Sequence, residues 1–169
     1  MIYLIWLLRI IHIVAGVFWV GGTLIMTFFI GPTVGAIGEP GQRFVGHLMN
    51  ELKFSNRMSA AAGLSILAGL ILFYLDSRAG AAWFRSGFAM GLSIGAAFAL
   101  VGFIFGIMIG RTTKAMAQLG ARMQGNPSPD QIAEMQAIRK RQTTYSTISA
   151  TALILAVTFM AIARYLGMG

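Results

Sequence analysis

The chain has 169 residues, 57% of them hydrophobic and 11% charged. Soluble domains carry roughly 25% charged residues, so polar groups here are too few to clothe a globule, and lipid is the expected solvent. The formal net charge of +8 fits basic loops on one membrane face rather than a nucleic-acid surface, and the lack of cysteine excludes disulfides, thiolate metal sites, iron–sulfur clusters and covalently attached haem.

Apolar segments at about residues 2–30, 58–76, 87–110 and 144–167 each meet the roughly 20 residues that a spanning helix needs. Residues 1–169 are therefore expected to form one all-α domain, an integral membrane four-helix bundle. The first segment lacks the basic start of a signal peptide and outruns its short apolar core. Within it, Arg9, His12, Gly16, Trp19 and Thr23 recur at steps of three and four, which puts them on one helical stripe.

Residues of about 41–57 predict an amphipathic helix before span two. Phe44, Leu48 and Leu52 make its apolar face, and Arg43, His47 and Glu51 recur at i, i+4 on its polar face. Ala61, Ser65 and Gly69 form a small-residue face in span two. Span three holds Gly87, Gly91 and Gly95, then Gly102, Gly106 and Gly110. Glycine at that spacing admits a second helix, its common use, or a flat ligand.

The segment of about 111–143 predicts helical extensions of spans three and four, joined by the turn "QGNPSP". Ser128 is a suitable N-cap, Pro129 sits at the first helical position, and Gln131 completes a capping box. Met116, Leu119 and Met123 line one face before the turn, and Ile132, Met135 and Ile138 line one after it.

Arg43, Lys53 and Arg57 fall between spans one and two. Arg111, Lys114, Arg122, Arg139, Lys140 and Arg141 fall between spans three and four. The positive-inside rule makes both segments cytoplasmic and puts both termini outside a bacterial cytoplasmic (inner) membrane. Tyr3, Trp6, Tyr74, Trp83, Phe84 and Tyr165 then form an aromatic belt at the outer interface.

Of the two histidines, His47 lies on the polar face of the 41–57 helix and reads as solvated. His12 lies inside a span, where polar groups are costly and turn toward the bundle interior. Two readings stay open for it: a buried imidazole hydrogen-bonded to a Ser or Thr of a neighbouring helix, or a ligand. Neutral imidazole is a common ligand of haem iron and copper. For a haem, Gly16 would open a flat slot, Arg9 would meet a propionate or else snorkel to the headgroups, and the span-three glycines would take the other face.

Bis-histidine ligation of a pair of haems takes more histidines than the two present, so at most one His12-ligated haem is expected per chain. Its sixth position would be open, taken by Met, or supplied by a second protomer. Met90 and Met160 fall near the depth of His12, counting about 1.5 Å per residue. The same His and Met set suits Cu(I). Methionine is also a common gap-filler, and eleven are present. No Asp, Glu or Lys lies in the centre of a span, which disfavours a proton relay or ion-coupled transport.

The stretch "WLLRIIHIVAGVFWVGG", with His12, Trp19 and Val20-Gly21-Gly22, resembles the first span of the copper-resistance D-like membrane proteins. It also resembles the four-helix, b-haem membrane protoporphyrinogen oxidases, whose basic residue before the histidine corresponds to Arg9 and whose tryptophan corresponds to Trp19. "MNELKFSNRMSAAAGLSILAGLILFYL" is similar in layout to their second span. The close match covers about twenty residues, with a looser one to residue 75. The oxidases' third-span lysine is missing between Ser86 and Gly110, and their Pro-Arg is missing after Gly22. The resemblance thus implies a haem-binding or copper-linked scaffold around His12 and leaves membrane oxidoreductase activity open. Two other functions fit the pattern: an accessory subunit of a larger membrane complex, and copper permeation.

Overall fold

A computed structural model describes residues 2–123 and 127–166, and those residues form helices with no strand among them. Gln124, Gly125 and Asn126, half of the expected turn "QGNPSP", lie outside the described residues. Helix α1 (Ile2–Ile25) continues through a π-helical turn (Met26–Ile30) into α2 (Gly31–Ile37), and α3 (Glu39–Asn50) follows. Next come α4 (Phe54–Ser77), the short α5 (Ala81–Phe84), α6 (Gly87–Arg122) and α7 (Pro129–Ile162), which ends in a 3₁₀ turn (Ala163–Tyr165). Four helical stretches are long and apolar enough to cross a membrane: Ile2–Ile37, Phe54–Ser77, Gly87–Arg122 and Pro129–Tyr165.

The first of these runs beyond the expected end at residue 30, and Pro32 explains how. Proline has no N–H, and its ring presses on the carbonyl four residues back, here that of Phe28. The helix widens just before it, with the Gly31 N–H bonded to the Met26 carbonyl five residues back. That local π adjustment lets a helix continue past a proline.

The expected helix over 41–57 is instead two helices. Helix α3 begins after Gly38, whose φ of 65° needs glycine. It ends with the N–H groups of Glu51 and Leu52 both on the His47 carbonyl. Lys53 then takes a left-handed conformation with φ of 52°, and its carbonyl receives the N–H groups of Asn56 and Arg57 to start α4. The break separates an amphipathic segment from an apolar span. Gly41 lets α3 fold closely onto α2, since a Cβ there would stand 2.8 Å from the Val34 Cα. On the polar face Arg43 pairs with Glu39 at 2.7 Å.

The capping box forms as expected. Gln131 N–H donates to Ser128 Oγ at 3.2 Å, and Ser128 N–H donates to Gln131 Oε1 at 2.9 Å. Both long helices extend past their apolar stretches, and Gln142 of α7 reaches Thr113 Oγ1 of α6 at 3.1 Å.

The helices associate as two intimate pairs, α1 with α4 and α6 with α7, joined by narrower contacts of α1 with α7 and of α4 with α6. Three span-three glycines explain the second pair. A Cβ on Gly91 would stand 2.8 Å from the Ala163 Cα, one on Gly95 would stand 3.0 Å from the Ala156 carbonyl oxygen, and one on Gly102 would stand 2.7 Å from Leu153. Their bare backbone therefore seats α7, and Ser149 Oγ donates to the Gly102 carbonyl at 2.9 Å. Gly106 and Gly110 meet nothing within 4 Å. The pairs join around Trp19, Ala61, Ala62 and Leu153, where the Trp19 ring meets Phe103 edge-on with centroids 6.2 Å apart.

Candidate functional site

His12 and Gly16 of the α1 stripe face α4. His12 Nδ1 lies 2.7 Å from the Ser65 carbonyl oxygen. A carbonyl only accepts, so Nδ1 carries the proton and donates it. In return Ser65 Oγ donates to the His12 carbonyl oxygen at 3.1 Å. Each side chain thus bonds to the other residue's main chain, across 53 positions of sequence.

Two glycines make room for this exchange. A Cβ on Gly69 would stand 2.8 Å from His12 Cε1, so the imidazole rests on bare backbone. A Cβ on Gly16 would stand 3.1 Å from Ser65 Oγ. Ser65 itself is buried, and its hydroxyl is satisfied by a main-chain acceptor, as a buried polar group requires.

The Nδ1 bond fixes the tautomer of the neutral ring and leaves the lone pair on Nε2. Nε2 has no hydrogen-bond partner among the described residues. His12 as a whole is half-buried. This is the disposition of metal-ligating histidines: one ring nitrogen is anchored to a carbonyl or carboxylate and the other is offered to the metal.

The remaining candidates are not gathered around it. Gly16 is a contact between α1 and α4, filled by Ser65, rather than an empty slot. Trp19 is 6% exposed and belongs to the core. Arg9 is exposed, one turn from His12. Met160 packs on Gly95 and Met90 is 55% exposed. The span-three groove is occupied by α7 through Gly91, Gly95 and Gly102. Among the described residues no three or more His, Asp or Glu side chains come together.

Of the features expected of a haem site, His12 has an unbonded ring nitrogen and Arg9 stands one turn away, while the slot expected beside Gly16 and the span-three glycines is taken up by helix packing. Sequence reasoning anticipated a Ser or Thr partner for the imidazole but did not identify Ser65 or Gly69 as its seat. The signal was the Ala61, Ser65, Gly69 face, which carries the one serine on that stripe. No protein-family model, curated protein or solved structure matches the chain.

Proposed function

We propose that the chain is an integral bundle of the bacterial cytoplasmic membrane, with both termini outside, that holds one b-type haem on His12 and takes part in electron transfer. The observation that carries this reading is the 2.7 Å bond of Nδ1 to the Ser65 carbonyl, with Nε2 left bare. A haem bound there would supply one-electron redox chemistry. The chain's own contribution is to hold the imidazole in one tautomer and rotamer and to offer Arg9 to a propionate. Copper(I) on the same nitrogen is the alternative cofactor. It is less favoured, because Met160 is turned to Gly95 and Met90 outward and neither offers its thioether to His12.

The test is reconstitution of the purified protein with haem and, separately, with Cu(I), followed by absorption spectroscopy and metal analysis. One haem per chain with a Soret band is expected. A protein that stays colourless and metal-free after both treatments contradicts the reading.

One observation favours a second function, that of an accessory subunit in a larger membrane complex. In the most apolar stretch of the first span 6% of residues are buried, against 33% in the last. A helix so little covered by its own chain leaves a broad face that lipid or a partner subunit would cover. Purification in mild detergent with a larger assembly supports that function, and recovery only as a lone monomer or homodimer counts against it.

A further inference from the structure

On the exposed side of the α1–α4 pair runs an open groove of about 610 Å³. Ile10, Val14 and Phe18 of α1 and Leu64 of α4 form its rims, and all four are exposed. The small side chains of Ala15 and Ala60 leave the hollow between them. Arg57 is the one charged residue of the lining. It stands in the first turn of α4, at the end nearest the basic segment that precedes this span, and the apolar lining extends from it toward the middle of the helices. Arg57 is exposed. The one ion pair among the described residues is Arg43–Glu39, so the Arg57 guanidinium has no carboxylate partner.

Sites for soluble small molecules of this volume are enclosed and set several polar groups against the ligand. This groove is open along its length and charged at one end only. Its polarity is that of a phospholipid: an anion at the level of the headgroups and a hydrocarbon chain running inward. Guanidinium and phosphate are also matched in geometry, since two parallel N–H donors face two oxygens.

We propose that the groove seats one acyl chain of an anionic phospholipid from the leaflet facing the basic segments, with its phosphate on Arg57. The proposal rests on the membrane insertion read above and is independent of the cofactor. Release of the protein from membranes by alkaline carbonate without detergent would defeat insertion itself, and is measured first.

The test is native mass spectrometry of the detergent-solubilised full chain with phosphatidylglycerol and phosphatidylcholine of identical acyl chains. A single interfacial arginine is expected to favour the anionic lipid about fivefold. Arg57→Gln, an exposed position, brings the ratio to about one, whereas Arg122→Gln leaves it unchanged. Ala60→Trp fills the hollow and lowers retention of both lipids. The proposal is overturned if Arg57→Gln keeps the preference, if Arg122→Gln lowers it equally, or if Ala60→Trp leaves retention intact. It is also overturned if Ala60→Trp converts a dimer to monomers with lipid binding unaltered, which would make a second copy of the chain the occupant.

Discussion

At the scale of single residues, the exchange between His12 and Ser65 explains why two glycines lie where they do. Hydrogen bonds between spanning helices contribute about 0.6 kcal/mol on average and up to about 2 kcal/mol. Ser65→Ala removes one such bond but keeps the carbonyl that holds Nδ1, so a loss of about 1 kcal/mol is expected in detergent unfolding. Gly69→Ala should cost more. Its methyl would stand 2.8 Å from the imidazole, and overpacking of this kind costs about 1–3 kcal/mol. Gly21, on the same helix as His12, meets nothing within 4 Å. Gly21→Ala is therefore expected to be neutral or slightly stabilising, because alanine is the better helix former. Equal losses for Gly69→Ala and Gly21→Ala would show that the imidazole seat has no special tightness. Thermal or denaturant unfolding of the three variants reads this directly. His12 itself was legible in the sequence because polar residues are rare inside spans. Its partner was not, because pairing two residues 53 positions apart depends on the register between helices, which periodicity along one helix does not reveal.

At the scale of elements, the four long apolar helices and the capping box at Ser128 were legible because hydrophobic length and local hydrogen-bonding chemistry determine them. The ends of span one and of the 41–57 segment were not. Gly31-Pro32 reads as a stop, and a π turn over Met26–Ile30 instead absorbs the missing donor. Lys53 gives no sign of its left-handed φ of 52°, since a side chain there is uncommon and glycine is the usual marker. Left-handed helical backbone costs a non-glycine residue about 1–2 kcal/mol, and glycine's extra chain entropy returns about 0.5–1 kcal/mol of that. Lys53→Gly is thus expected to stabilise the protein by about 0.5–1 kcal/mol in equilibrium unfolding, and a destabilised variant would mean that the lysine side chain makes a compensating contact.

The glycine runs of span three divide in the same way. Gly91→Ala would drive a methyl against the Ala163 main chain at 2.8 Å, and main chain yields less than a side-chain tip. A loss of about 1–3 kcal/mol is expected there, while Gly106→Ala in open surroundings should be tolerated. The sequence spacing announced close packing but not which glycines take part. That depends on where α7 crosses α6, with contact from Gly91 to Gly102 and none at Gly106 or Gly110.

At the scale of the whole molecule, the four long apolar helices and their pairing leave most large hydrophobic side chains of α1 exposed, Tyr3, Ile13 and Val17 among them. In water that surface would aggregate; in a bilayer it is ordinary. The proposed orientation rests on loop charge alone, and the absence of cysteine makes it simple to measure. Ser128→Cys, at the exposed start of α7, is expected to react with a membrane-impermeant thiol reagent only after the cytoplasmic side is opened. Arg85→Cys, in the exposed turn after α5, should react in intact spheroplasts. The reverse pattern would invert the topology and move His12 to the cytoplasmic half of the bilayer.

The central claim is that Nε2 of His12 ligates a haem, and the most direct measurement is the absorption spectrum of haem-reconstituted wild type beside that of His12→Ala. The account predicts a Soret band in the wild type that is lost in His12→Ala while helical content is retained by circular dichroism. An unchanged Soret band in His12→Ala, or none in the wild type, would contradict it.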